Sequence, residues 1–169
     1  LVQGNIAQET KWLPESVQPI LDRYATLSEN AWENDLVIWP EAAITVPYTQ
    51  ALTYLSGIAD RTKGALILGV PMLESVSEDG YVHYNAAVVV GDGSGQYIKR
   101  KLVPFGEFVP FEGVLRGVIT FFDLPMSTAR RGPKQQTLAV AAGLKVAIAI
   151  CYEVVYPRMV ATDAARADL

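Results

Sequence analysis

The sequence predicts a layered α/β fold. Two observations carry the prediction. Short apolar runs alternate with stretches of helical period along the chain, and glycine-rich turns join some of those runs as hairpins. The composition allows it: half of the 169 residues are hydrophobic and 19% are charged, so the chain can bury a core and is not a disordered tail. The length fits one domain, or a large piece of one.

Each element has its own signal. Residues 2–6 read as a first strand. A helical pattern follows over 14–32, with Val17, Ile20, Leu21, Tyr24, Leu27 and Ala31 on one face. Pro14 suits a first helical turn, while Pro19 leaves the start open. Residues 35–39 form a short buried strand that Pro40 stops. A second helix runs over 49–62 with Leu52, Leu55, Ile58 and Ala59 inward, ended by Gly64, and 65–70 is the next apolar strand. A hairpin then pairs 84–90 with 96–99 across Gly91-Asp-Gly-Ser-Gly95. That glycine cluster lacks nucleotide-loop spacing and leads into a strand, so it reads as a turn. Residues 102–133 are irregular, with a short helix expected around 112–118. Strands at 137–141 and 144–150 lead to Cys151, and Pro157 opens a final helix.

Several function classes are disfavoured at this level. With 14 basic against 18 acidic side chains the net charge is -4, unlike a protein that binds nucleic acid through phosphate contacts. One cysteine, Cys151, and one histidine, His83, exclude a disulfide framework and leave too little for a metal centre. No metal or organic cofactor is expected, and His83 reads as structural or exposed. No stretch approaches the roughly 18 uninterrupted apolar residues of a membrane helix. The chain lacks an initiator Met and a basic leader, and both ends look cut, so a fragment is expected.

Three reactive side chains stand immediately after apolar strands: Glu41 after LVIWP, Lys99 at the end of the second hairpin arm, and Cys151 after KVAIAI. Open α/β sheets place their sites at such strand ends. A thiol needs a base, which a carboxylate supplies, and an ammonium can stabilise the oxyanion that thiolate attack creates. Position alone leaves plainer roles open. A lone cysteine after an apolar strand is more often core, and Lys99-Arg100-Lys101 could be a solvated charge run.

The surrounding segments are more specific. IWPEAA, YIKRKLVPFGEFVPF and AICYE stand here in the order and context of the nitrilase superfamily, which carries a Glu-Lys-Cys triad. VQGNIAQETKW at the start, FFDLPMS at 121–127 and RGP at 131–133 make the chain resemble one branch of it, the apolipoprotein N-acyltransferases. The resemblance implies a nitrilase-like α-β-β-α sandwich, here incomplete at the C-terminus. It implies Glu41 as general base, Lys99 as oxyanion-side cation and Cys151 as nucleophile. Supporting roles fall to Glu107, eight positions beyond Lys99, and to Tyr152 and Glu153 beside the nucleophile. Trp12 and Asn85 match substrate-side positions.

The reaction implied by the resemblance is ping-pong acyl transfer: from a phospholipid donor to Cys151 as a thioester, then to the N-terminal amine of a diacylglyceryl-cysteine apolipoprotein. The same resemblance puts the parent protein in the bacterial inner membrane, with membrane helices before residue 1 and the catalytic domain on the periplasmic side. The chain on its own is expected to be inactive or nearly so. Phe105, Phe108, Phe111, Phe121 and Phe122 suit either a lipid-contacting lid or packing on the sheet. Two alternatives stay open: a soluble amidase acting on small amides or nitriles with the same three residues, and a truncated binding remnant without catalysis.

Overall fold

The computed structural model describes residues 1–77, 80–104, 107 and 129–169. The helix expected over 112–118, the FFDLPMS segment and the five phenylalanines lie outside these residues. The order is α1 (Gln8–Lys11), a 3-10 turn (Pro14–Ser16), α2 (Val17–Ser28), β1 (Leu36–Ile38), α3 (Tyr48–Ala59), β2 (Ala65–Ser77), β3 (Gly80–Gly91), β4 (Gly93–Ser94), β5 (Gln96–Ile98), β6 (Ala139–Ala141), β7 (Leu144–Val146), a 3-10 turn (Cys151–Val155) and α4 (Pro157–Ala164). One sheet has the order β1-β2-β3-β5 and the other β4-β6-β7. β1 and β2 are parallel, and the other pairings between these strands are antiparallel.

Alternation along β2 sets the layers. Leu66, Leu68 and Val70 point to one face, where with Val88 they join Ile20, Leu21 and Tyr24 of α2 and Ala51, Leu55 and Ile58 of α3. Ala65 and Ile67 point to the other, where Ala87, Val89 and Tyr97 meet Ala139, Ala141 and Val146 of the second sheet. Both faces of β2 are therefore buried, which is why its first six residues read as a continuous apolar run. Two face-to-face sheets with helices outside the larger one make the mixed α/β architecture that the sequence predicts.

The boundaries differ in instructive ways. Residues 2–6 are not a regular strand: Val2 N–H donates to the Ile38 carbonyl at 2.9 Å, but Asn5 at φ 50° turns the chain away. α2 is shorter than the expected span, and Pro19 sits in its first turn, where no intrahelical donor is needed. Leu27 and Leu52, expected inward, are exposed, while Ser28 and Ala51 one position away are buried. Ser28 is inside because its hydroxyl accepts a hydrogen bond from Trp39 Nε1 at 2.9 Å.

β2 continues through Pro71 to form a long hairpin with β3. Asn85 opposite gives its carbonyl to Lys99 N–H on the β5 side, so the Pro71–Asn85 pair is not hydrogen-bonded and the missing proline donor costs nothing. The glycine cluster is the expected turn, with Gly91 at φ 83° and Gly95 at φ 114°. Within it, β4 crosses to the second sheet and pairs with β6. β7 stops four residues before the expected end, and the Ile150 N–H goes to the Glu153 carboxylate instead of a neighbouring strand.

Candidate active site

The first reactive side chain is carried by a tight turn after β1. Pro40 stops the strand, Ala43 N–H returns to the Pro40 carbonyl at 3.2 Å, and Ala42 takes φ 47°. β2 passes directly against this turn at Gly69, whose N–H donates to Pro40 O and whose carbonyl accepts from Ile44 N–H, both at 3.2 Å. A Cβ at Gly69 would lie 2.4 Å from Ala42 N and 2.6 Å from Glu41 Cα, so only glycine permits this approach. Glu41 is thereby fixed by backbone packing on two sides.

Its carboxylate joins a partly buried cluster. Glu41 Oε1 accepts from Lys99 Nζ at 3.1 Å and from Asn85 Nδ2 at 2.6 Å. Lys99, 1% exposed, also donates to Glu107 Oε1 at 2.9 Å, and Asn85 Nδ2 reaches the same oxygen at 3.0 Å. Glu107 Oε2 accepts from Val103 N–H at 2.9 Å. Lys99 and Asn85 thus each bridge two carboxylates. Burial opposes charge on Glu107, but the Lys99, Val103 and Asn85 hydrogen bonds outweigh it and hold the carboxyl below its ordinary value. Burial likewise pulls at Lys99, and the hydrogen bonds and charges of Glu107 and Glu41 push its ammonium above the usual range.

Cys151 opens the 3-10 turn at φ 51°, a conformation that a side-chain-bearing residue rarely adopts. The residue is exposed, yet its thiol lies near enough to Glu41 and Lys99 to feel the charge of both. Partial burial and the Glu41 charge push the thiol up, while the Lys99 charge and the Tyr152 N–H act in the opposite sense.

A second carboxylate holds that turn. Glu153 is fully buried and accepts from Ile150 N–H at 2.9 Å, Arg100 N–H at 2.7 Å, Lys101 N–H at 3.0 Å and the Tyr97 hydroxyl at 2.8 Å. One side chain therefore ties the segment leaving Lys99 to the turn that carries Cys151. Arg100 extends the network, donating to the Tyr97 hydroxyl at 3.0 Å and to Asp163 of α4.

Glu41, Asn85 and Glu107 line a cavity of about 400 Å³, together with Trp12, Lys11 and His83. Of the residues singled out from sequence, Glu41, Asn85, Lys99, Glu107 and Cys151 come together, and Trp12 stands on the cavity wall. The Tyr152 ring does not face this group; it packs edge-on against Tyr156 at 5.6 Å. Sequence reasoning missed Lys11, whose Nζ donates to the Glu41 carbonyl at 3.3 Å, and the anchoring pair Tyr97 and Arg100. A lysine next to a tryptophan gives no signal in sequence. His83, expected as structural or exposed, is half-buried on the cavity wall; burial holds its imidazole below the ordinary value against the Glu107 charge. Among the described residues no group of His, Cys, Asp and Glu could hold a metal ion, and no helix is long and apolar enough to cross a membrane.

Comparison with known proteins adds relatives to this geometry. The carbon-nitrogen hydrolase family matches residues 1–169. A Pseudomonas aeruginosa (strain UCBPP-PA14) protein named apolipoprotein N-acyltransferase is 47% identical over 171 residues, covering 99% of this chain and 34% of the relative. Proteins of the same name from Azotobacter vinelandii and Shewanella oneidensis are 50% and 39% identical, over 99% and 93% of this chain and 33% of each relative. The chain spans about a third of the length of the curated relatives it matches.

Proposed function

The chain belongs to the carbon-nitrogen hydrolase family, and from that premise we propose that it is the catalytic part of a longer apolipoprotein N-acyltransferase. The observation that carries the reading is the Glu41 carboxylate, which binds buried Lys99 at 3.1 Å and whose charge acts on the Cys151 thiol. It supports a nucleophile, base and cation acting as one unit. The names of relatives 39% to 50% identical to this chain supply the substrate class.

In the first half-reaction Glu41 removes the Cys151 proton as Sγ attacks an ester carbonyl of a phospholipid. Lys99 and the Tyr152 N–H stabilise the oxyanion. The ester C–O bond breaks, Glu41 returns the proton to the leaving oxygen, and a lysophospholipid departs from a Cys151 thioester. In the second, the α-amine of a diacylglyceryl-cysteine lipoprotein attacks the thioester carbonyl. Glu41 accepts the amine proton, the C–S bond breaks, and the proton goes back to Sγ. Glu107 and Asn85 keep Lys99 charged and aimed throughout, and Glu153 holds the nucleophile turn. Trp12 takes part in substrate contact from the cavity wall.

The reading places the parent protein in the bacterial inner membrane, anchored by helices that precede this domain, with the site on the periplasmic side. It also makes residues 1–169 inactive, or nearly so, when isolated, because the relatives are about three times as long. The test is transfer of an isotope-labelled acyl chain from phospholipid vesicles to a diacylated lipopeptide by the full-length parent. Transfer that Cys151→Ala abolishes is expected. Turnover of small amides without any transfer would replace this reading with a hydrolase.

A further inference from the structure

Two lysines are buried among the described residues, and they are partnered very differently. Lys99 has two carboxylates within 3.1 Å. Lys11, the last residue of α1, is 9% exposed and has no carboxylate within ion-pair distance among the described residues. Its Nζ has one carbonyl, that of Glu41 at 3.3 Å, and the Trp12 ring at 5.8 Å. An ammonium carries three donors, so a single long bond to a neutral carbonyl leaves donor capacity on the wall of the Glu41 cavity. Glu41 cannot serve as its counter-ion in full, because the same carboxylate already faces Lys99 and Asn85. Burial accordingly pulls the Lys11 ammonium below its usual range, with the Glu41 charge only partly opposing. A buried cation without its own anion is costly unless an anion is brought to it.

We propose that Lys11 determines donor specificity by binding the phosphodiester anion of the acyl donor against the cavity wall; the proposal rests on the acyl-transfer reading above. The placement suits a glycerophospholipid. Lys11 Nζ is hydrogen-bonded to the Glu41 main chain, so it stands one hydrogen bond and one glutamate side chain away from the reacting carboxylate. A phospholipid carries its phosphate across the glycerol unit from the ester carbonyl, a separation of the same order. Binding there would leave the ester toward Glu41 and Cys151 and the phosphate at Lys11. Gln3, Asn5 and Gln8 line the same cavity and offer amides to the remaining headgroup oxygens.

The test uses the full-length parent and compares acylation of Cys151 by phosphatidylglycerol vesicles with acylation by p-nitrophenyl octanoate, which has no phosphate. For Lys11→Met, the ratio of kcat/KM on phospholipid to that on the nitrophenyl ester is expected to fall about 10- to 100-fold, mainly through KM. Lys11→Arg should restore most of it. Equal losses on both donors would make Lys11 a positioning residue for Glu41 and overturn the proposal, as would an unchanged ratio. Should Lys11→Met fold poorly, competition decides: glycerol phosphate is expected to inhibit the nitrophenyl-ester reaction of the unaltered protein where glycerol does not, and equal inhibition overturns the proposal. Failure of the unaltered protein to take any acyl chain from phospholipid would sink the acyl-transfer reading itself, and this proposal with it.

Discussion

The turn after β1 and the turn after Ile150 both place a non-glycine residue in the left-handed region, Ala42 at φ 47° and Cys151 at φ 51°, yet the contacts that hold them differ in kind. The Glu41 turn is held by shape. Gly69 brings β2 into backbone contact with it, and no side chain fits between them. The Cys151 turn is held by charge: the Glu153 carboxylate accepts three backbone N–H groups and the Tyr97 hydroxyl. The difference follows from what flanks each turn. Glu41 leaves the edge strand β1, whose neighbour β2 already puts backbone against the turn. Beyond β7 no strand among the described residues pairs with Ile150, and a side chain supplies the acceptor.

The sharpest way to break this contrast is Glu153→Ala. It leaves three backbone donors without acceptors in a dry site and should cost about 4 kcal/mol of stability, less than their summed desolvation because water enters the space. Urea unfolding followed by tryptophan fluorescence measures it, and a loss under about 1 kcal/mol would mean the turn holds itself. Gly69→Ala attacks the other side. The new Cβ meets backbone atoms that cannot rotate away, so a loss of about 2 kcal/mol is expected, with roughly a 100-fold drop in acyl transfer as Glu41 shifts.

Acid should weaken the Glu41 side in two stages. His83 and Glu107 both have folded values below their ordinary ones of 6.5 and 4.5. The unfolded chain therefore binds more protons, and stability falls as pH drops, first below 6.5 through His83 and then below 4.5 through Glu107. His83→Gln should flatten the upper stage and Glu107→Gln the lower one in a pH series of unfolding curves. The smallest effect is expected from Ala42→Gly, which relieves the left-handed penalty against a greater entropy loss on folding. A gain of about 0.5 kcal/mol with activity retained would show that the strain of the Glu41 turn is not needed for chemistry.

Much of this was legible in sequence. The strands expected at 35–39 and 65–70, the α3 stretch and the glycine turn at 91–95 all carry period or turn chemistry that local physics dictates. The convergence of Glu41, Lys99, Glu107 and Cys151 came from segment resemblance, since no spacing rule brings together side chains on three separate segments. The features that stayed hidden depend on neighbours. The strand expected over 65–70 runs on through Pro71, because its partner Asn85 bonds the other way. Leu52 outranks Ala51 in hydrophobicity, yet Ala51 is the residue that faces the sheet. Lys11 looks like an ordinary exposed lysine until the fold buries it.

The central claim is that Cys151 and Glu41 act together to form an acyl-enzyme, and intact-mass spectrometry tests it most directly. The full-length parent and its Glu41→Gln variant would be incubated with a phospholipid of known acyl chains. One hydroxylamine-labile acyl group is predicted on Cys151 of the unaltered protein, discharged by a diacylated lipopeptide, and none on the variant. An unmodified Cys151 in a preparation that turns over small amides, or equal acylation of the variant, would contradict it.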